Sequence, residues 1–196
     1  MTATQGDADA ALRLYEWNAE VSGAFHVCLG QLEVLLRNSL DQQLQRYNKK
    51  VLSAQGRWYD NRAMPFQKEL WDHLKQARRR ATRKGTIPEV HGKVIAELMM
   101  GFWSYLLDAH HQAVLWAPAL RHAFPHLRPR VRTEVYDRYE PLRELRNRTA
   151  HHEPIFHLPL EDRWDDLIRV AGFVDPTTAA WIATASRVPD LLRQRP

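Results

Sequence analysis

Apolar positions recur at three- and four-residue intervals along most of the chain, the period of a helix with one buried face. From about Ala8 to Tyr47, Leu12, Leu14, Tyr15 and Trp17 lead into a run carrying Leu29, Leu32, Leu36 and Leu40, with Gly23 as an expected break between two helices. The stretch from Tyr47 to Asn61 reads as a loop, with Gly56 and a Trp58–Tyr59 pair that packs back as an aromatic plug. Pro65 suits a first helical turn. It predicts a helix through Phe66, Leu70, Trp71 and Leu74 that becomes basic at Lys75, Arg78, Arg79, Arg80, Arg83 and Lys84, before Gly85 and Pro88 end it.

A deeply apolar helix is expected from about Glu89 to Leu107, through Val94, Ile95, Leu98, Met99, Phe102, Trp103 and Leu106, and a short one from about Ala113 to Ala123. Pro129 opens the next, with Pro141 inside it as a kink or a restart. That helix must end by Pro154, because a residue before proline disfavours helical backbone. Short helices at about Pro159–Ala171, Pro176–Ala185 and Val188–Arg193 complete the reading. Trp103, Trp116 and Trp181 fall within apolar helical patterns and are expected in the core. No internal repeat or Gly/Ser linker divides the chain, so the expectation is an all-α single domain over residues 1–196.

Composition narrows the chemistry. Cys28 is the only cysteine, so no disulfide and no cysteine-based zinc site forms within one chain, and its apolar neighbours predict a small buried residue. MTATQGDADA lacks the basic cluster and apolar stretch of a secretory signal. The least polar segment, Val94 to Leu107, contains Glu97 and is too short to span a bilayer. A cytoplasmic protein with no membrane partner is expected. A formal net charge of +5 and a pI near 9.6 favour an anionic partner, RNA foremost.

The densest polar cluster runs from Leu145 to Pro154, where Arg146 and His151 have Arg-x4-His spacing and Asn147 follows the arginine. A guanidinium offers permanent charge and a planar fork of donors to phosphate oxygens. An imidazole accepts and returns a proton near neutral pH. Together they can cleave RNA without a metal or other cofactor: His151 moves the proton while Arg146 stabilises charge on the phosphorane. The bare spacing also occurs at Arg121 and His126, with Pro125 between them and no asparagine, so context must discriminate. Four residues apart, Asn147 and His151 share a helical face, whereas Arg146 and His151 diverge. A competent pair needs the helix to unwind near Pro154 or a second copy across a dimer interface, which is the favoured reading. His152 is an alternative operative histidine. His152 and His157 are five apart, not the four a zinc-protease helix requires, and Pro154 interrupts them, so no metal site is expected.

The segment Leu145-Arg146-Asn147-Arg148-Thr149-Ala150-His151-His152-Glu153-Pro154-Ile155-Phe156 resembles the signature of Abi-like (abortive infection, AbiD/AbiF type) proteins of the HEPN superfamily. Further stretches agree, in order: Leu14 to Asn18, Leu32 to Asn38, Trp58-Tyr59, Glu97 to Trp103, Leu115-Trp116 and Phe124-Pro125. The resemblance implies a HEPN-like helical bundle, here with additional short C-terminal helices, usually a homodimer whose arginine-asparagine-histidine motifs meet in a cleft. It implies RNA cleavage in phage defence or as a toxin; a toxin silenced by a cognate antitoxin protein or RNA is a third reading beside the two functions below. Longer members carry an extra N-terminal region, and a recognition function housed there is expected to be missing here. A supporting role for Glu33, Arg37 and Asn38 follows from it, beside the ordinary reading of Glu33 and Arg37 as an i, i+4 pair. Arg148 and the run of Arg78, Arg79, Arg80, Arg83 and Lys84 are candidate RNA-backbone contacts, the run reading also as a solvated helix face. Two functions emerge: an endoribonuclease acting through Arg146, Asn147 and His151, or a non-catalytic module binding RNA or protein in the same cleft.

Overall fold

A computed structural model describes residues 7–196, so part of the N-terminal segment read above as lacking a secretory signal lies outside the described residues. The protein is all-α: no strand occurs among the described residues. The helices are α1 (Ala8–Lys50), α2 (Lys68–Ala81), α3 (His91–Ala96), α4 (Met100–Leu106), α5 (Arg132–Ala150), α6 (Leu160–Val174), α7 (Pro176–Ala185) and α8 (Val188–Arg193). The described residues pack as two compact units, 7–33 with 137–196, and Val34–Tyr136.

In the first unit, the N-terminal half of α1 buries Trp17, Val21, Phe25, Cys28, Leu29 and Leu32. These recur at helical spacing straight through Gly23, so the expected break is absent and α1 is one helix of 43 residues. A mid-helix glycine costs about 1 kcal/mol relative to alanine, too little to interrupt a helix whose buried face continues on both sides. Trp17 Nε1 donates to the Leu191 carbonyl at 2.6 Å, tying α1 to α8. Helices α6 and α7 approach closely, an ideal Cβ at Gly172 standing 3.8 Å from that of Ala179. Asp175 starts α7 by accepting the amides of Thr177 and Thr178 at 3.1 and 3.2 Å. The core expected at Trp181 is not found: it is 54% exposed, because α7 turns Ala179 and Ile182 inward instead.

The second unit is built on the C-terminal half of α1, which buries Leu36, Leu40 and Leu44. Trp58 and Tyr59 are buried in a single 3-10 turn, Trp58–Asp60, and Trp58 Nε1 donates to Asp41 Oδ1 at 2.6 Å. The ring of Trp58 meets those of Phe66 and Phe102 at 5.7 and 6.1 Å. Helix α2 starts at Lys68, not Pro65, and stops at Ala81; Arg83, Lys84 and Gly85 follow with φ of 47°, 60° and 89°. The basic run therefore straddles a helix end instead of forming one helical face.

The single helix expected over Glu89–Leu107 is two, broken at Glu97–Met99. Leu98, Met100 and Phe102 are all buried while Met99 is 53% exposed, a two-residue alternation that no straight helix can satisfy. The break re-aims α4, and Trp103 Nε1 occupies the freed Leu98 carbonyl at 3.1 Å. The short helix expected at Ala113–Ala123 is instead a series of tight turns, π-helical at Gln112–Trp116 and 3-10 at Leu120–Ala123. Helix α5 begins at Arg132, three residues after Pro129, and runs through Pro141 without restarting.

Candidate functional site

The C-terminus of α5 determines the geometry of the candidate site. Pro154 cannot continue the helix and biases Glu153 away from helical backbone. The chain leaves α5 through a left-handed residue, His152, at φ 57°. Its amide donates to the Thr149 carbonyl at 3.4 Å, and that of Glu153 to the Arg148 carbonyl at 2.9 Å. This is the Schellman pattern, and histidine occupies the position that glycine normally takes. A left-handed β-carbon-bearing residue costs about 1–2 kcal/mol.

The turn separates the two histidines. His152 lines a cavity of about 680 Å³ together with Arg146, Thr149, Ala150 and Glu153. From α1 the same cavity receives Tyr15, Asn18, Ala19, Ser22, Gly23 and His26. His151 is exposed and is not among the lining residues, and neither is Asn147. Arg146 and His152 thus line one cavity within a single chain, although a straight helix would spread them around its axis. Arg146 is half-buried, and its guanidinium makes no hydrogen bond or ion pair among the described residues.

Groups from α1 complete the wall and hold the turn. Asn18 Oδ1 accepts the amides of Ile155 and Phe156 at 2.9 and 3.0 Å, pinning the segment just past Pro154. His26 Nδ1 lies 3.2 Å from Thr149 Oγ1, and that hydroxyl lies 3.0 Å from the Arg146 carbonyl oxygen. Ser22 Oγ is buried without a hydrogen-bond partner. The local reading of Leu145–Pro154 missed all three side chains, which lie more than 100 residues upstream. Asn18 had one signal, its place in the Leu14–Asn18 stretch; for Ser22 and His26 the signal is their helical spacing from Asn18, at i+4 and i+8.

Arg148 has carboxylates on both sides, 3.7 Å to Glu144 and 3.3 Å to Glu153. Glu33 is half-buried, and its charge joins burial in holding the Tyr139 phenol well above the ordinary tyrosine range. Arg37 is half-buried with an unpartnered Nε, and Asn38 is exposed. In the basic run, Arg78 pairs with Glu89 and Asp60 at 2.7 and 2.9 Å, and Arg80 with Glu97 at 2.8 Å. Arg79, Arg83 and Lys84 are exposed and make no ion pair among the described residues.

Cys28 is buried, and desolvation raises its thiol above the usual range against a 3.1 Å contact to Ser186 Oγ. Among the described residues no group of three His, Cys, Asp or Glu side chains is arranged to hold a metal ion, and no helix is long and apolar enough to cross a membrane. Comparisons with protein-family models, curated proteins and solved structures returned no match.

Proposed function

We propose that this chain is a metal-independent endoribonuclease of the HEPN type, as its Abi-like resemblance implies, acting in phage defence or as a toxin. The observation that supports it most is the cavity shared by Arg146, which has no carboxylate partner, and His152. A half-buried cation beside an imidazole in an open cavity suits a phosphodiester: the guanidinium holds the non-bridging oxygens and the imidazole moves a proton. The exposed phenol ring of Tyr15 on the same rim offers a face for a flanking base.

The turn at His152 changes which histidine carries the reading. Within one chain His152 lines the cavity with Arg146, whereas His151 is not among its lining residues. The homodimer that the resemblance implies then enters as an association of two complete cavities.

The test is cleavage of single-stranded RNA in the presence of EDTA. The expected upstream product ends in a 2′,3′-cyclic phosphate or 3′-phosphate. Arg146→Ala and His152→Ala are expected to abolish cleavage, and His151→Ala to retain it. Activity that survives both of the first two substitutions ends the proposal, and RNA binding without turnover by wild type selects the non-catalytic module instead. Wild-type chains mixed with excess Arg146→Ala are expected to keep their activity per wild-type chain, because no site is shared.

A further inference from the structure

Cleavage of RNA through its own 2′-hydroxyl requires two proton transfers at opposite ends of the reacting phosphate: one from the nucleophile and one to the leaving oxygen. Resting on the nuclease reading, the geometry points to His26 of α1 as the group that performs the first, with His152 performing the second. His26 is exposed, lines the same cavity as Arg146 and His152, and comes from a different helix, so two imidazoles from separate elements border the cavity that would hold the phosphate at Arg146.

The hydrogen bonds assign its tautomer. The Arg146 carbonyl can only accept, so the single Thr149 hydroxyl proton is directed to it at 3.0 Å. The contact of 3.2 Å between Thr149 Oγ1 and His26 Nδ1 then requires Nδ1 to carry the donated proton. Neutral His26 therefore has its lone pair on Nε2, the nitrogen turned away from Thr149. An imidazole oriented at Nδ1 and open at Nε2 is the arrangement of a general base. His152 makes no side-chain hydrogen bond among the described residues and can enter the reaction protonated.

The step balances without a co-reactant. His26 Nε2 takes the proton of the ribose 2′-hydroxyl, and the 2′-oxygen forms a bond to the adjacent phosphorus. The bond from phosphorus to the 5′-oxygen breaks, and that oxygen takes the proton of the His152 imidazolium. The products are a 2′,3′-cyclic phosphate and a 5′-hydroxyl, with His26 left protonated and His152 neutral; exchange with water restores both.

The test uses the full chain on two substrates: ordinary RNA, and RNA carrying sulfur in place of one bridging 5′-oxygen, whose thiolate leaves without being protonated. His26→Ala and His26→Gln are both expected to lower kcat/KM on ordinary RNA by about two to four orders of magnitude, with circular dichroism and thermal midpoint unchanged. Glutamine retains an N–H donor for Thr149 but cannot take a proton, so a fully active His26→Gln overturns the proposal. On the sulfur substrate His152→Ala is expected to recover to near wild-type rate while His26→Ala stays slow; recovery of His26→Ala instead overturns its assignment as the base. Wild-type cleavage of ordinary RNA with unaltered rates in both His26 variants ends this inference and leaves the nuclease reading standing. Absence of cleavage by wild type on either substrate ends both.

Discussion

Arg148 and Glu153 are joined twice: the Glu153 amide donates to the Arg148 carbonyl at 2.9 Å, and the Arg148 guanidinium meets the Glu153 carboxylate at 3.3 Å. Backbone and side chain thus clamp the same five-residue reach, and the turn between them carries His152 in its left-handed conformation. A candidate RNA contact at Arg148 is in this way a brace for the histidine four residues later.

His152→Gly is expected to stabilise the fold and remove activity together. Glycine adopts φ near 57° without the β-carbon penalty, so unfolding free energy is expected to rise by about 1 kcal/mol. Urea denaturation and RNA cleavage on the same preparation check both halves. A destabilised His152→Gly would show that the imidazole contributes more to the turn than its backbone strain costs.

Asn18→Ala is expected to loosen the turn without touching the reacting groups. It leaves the amides of Ile155 and Phe156 without their acceptor, at a cost of about 1–3 kcal/mol. Cleavage is expected to fall through kcat, because the histidine loses its position. Faster hydrogen exchange at Ile155 and Phe156 identifies the cause.

The basic run is expected to divide in two. Arg78→Ala removes one of the two arginines that hold Glu89, leaving Arg57 at 2.7 Å on a carboxylate whose side chain is only 19% exposed, and is expected to cost about 1 kcal/mol of stability. The hydrogen bond that Arg78 donates to Glu89, together with the Glu89 charge, also holds the Arg78 guanidinium above its usual range, against the opposing effect of burial. Arg79, Arg83 and Lys84 are exposed and unpaired among the described residues, so replacing all three with alanine is expected to leave stability unchanged. It is expected to reduce the slope of log affinity against log salt by about 2, at about 0.7 per phosphate contact on a single strand. An unchanged slope would make these residues a solvated surface.

Tyr139 sets an alkaline limit on the first unit. Burial, reinforced by the Glu33 and Glu140 charges, keeps its folded phenol protonated well above the ordinary tyrosine range. Above pH of about 10 the unfolded chain ionises this phenol while the folded chain does not, so stability is full below that pH and declines as pH rises past it. Tyr139→Phe is expected to flatten the decline, read as the thermal midpoint between pH 9 and 11. An identical alkaline decline in the variant would place the loss elsewhere.

Helix identity was legible in the sequence wherever one apolar face ran at constant period. The C-terminal helices lie close to the segments read from the pattern, and α1 was visible through its repeating Leu positions, because burial of a continuous face is encoded locally. Helix ends and breaks were less legible. Gly23 carried a break signal that a long buried face overrides, and Leu98–Met100 carried none, since alternating burial arises only when neighbours exist on both sides. The cluster holding Arg146 and His152 could be found from residue types and spacing alone. Which histidine shares a cavity with Arg146 could not, because that depends on one backbone angle at residue 152, stabilised by Asn18 from more than 130 residues upstream. The chain's own pattern determines that it forms helices and where its polar side chains are most densely clustered. Only tertiary packing decides that the turn at His152 places its side chain in the cavity with Arg146 and leaves His151 out of it, and that His26 reaches the same wall, because contacts between distant segments leave no periodic trace.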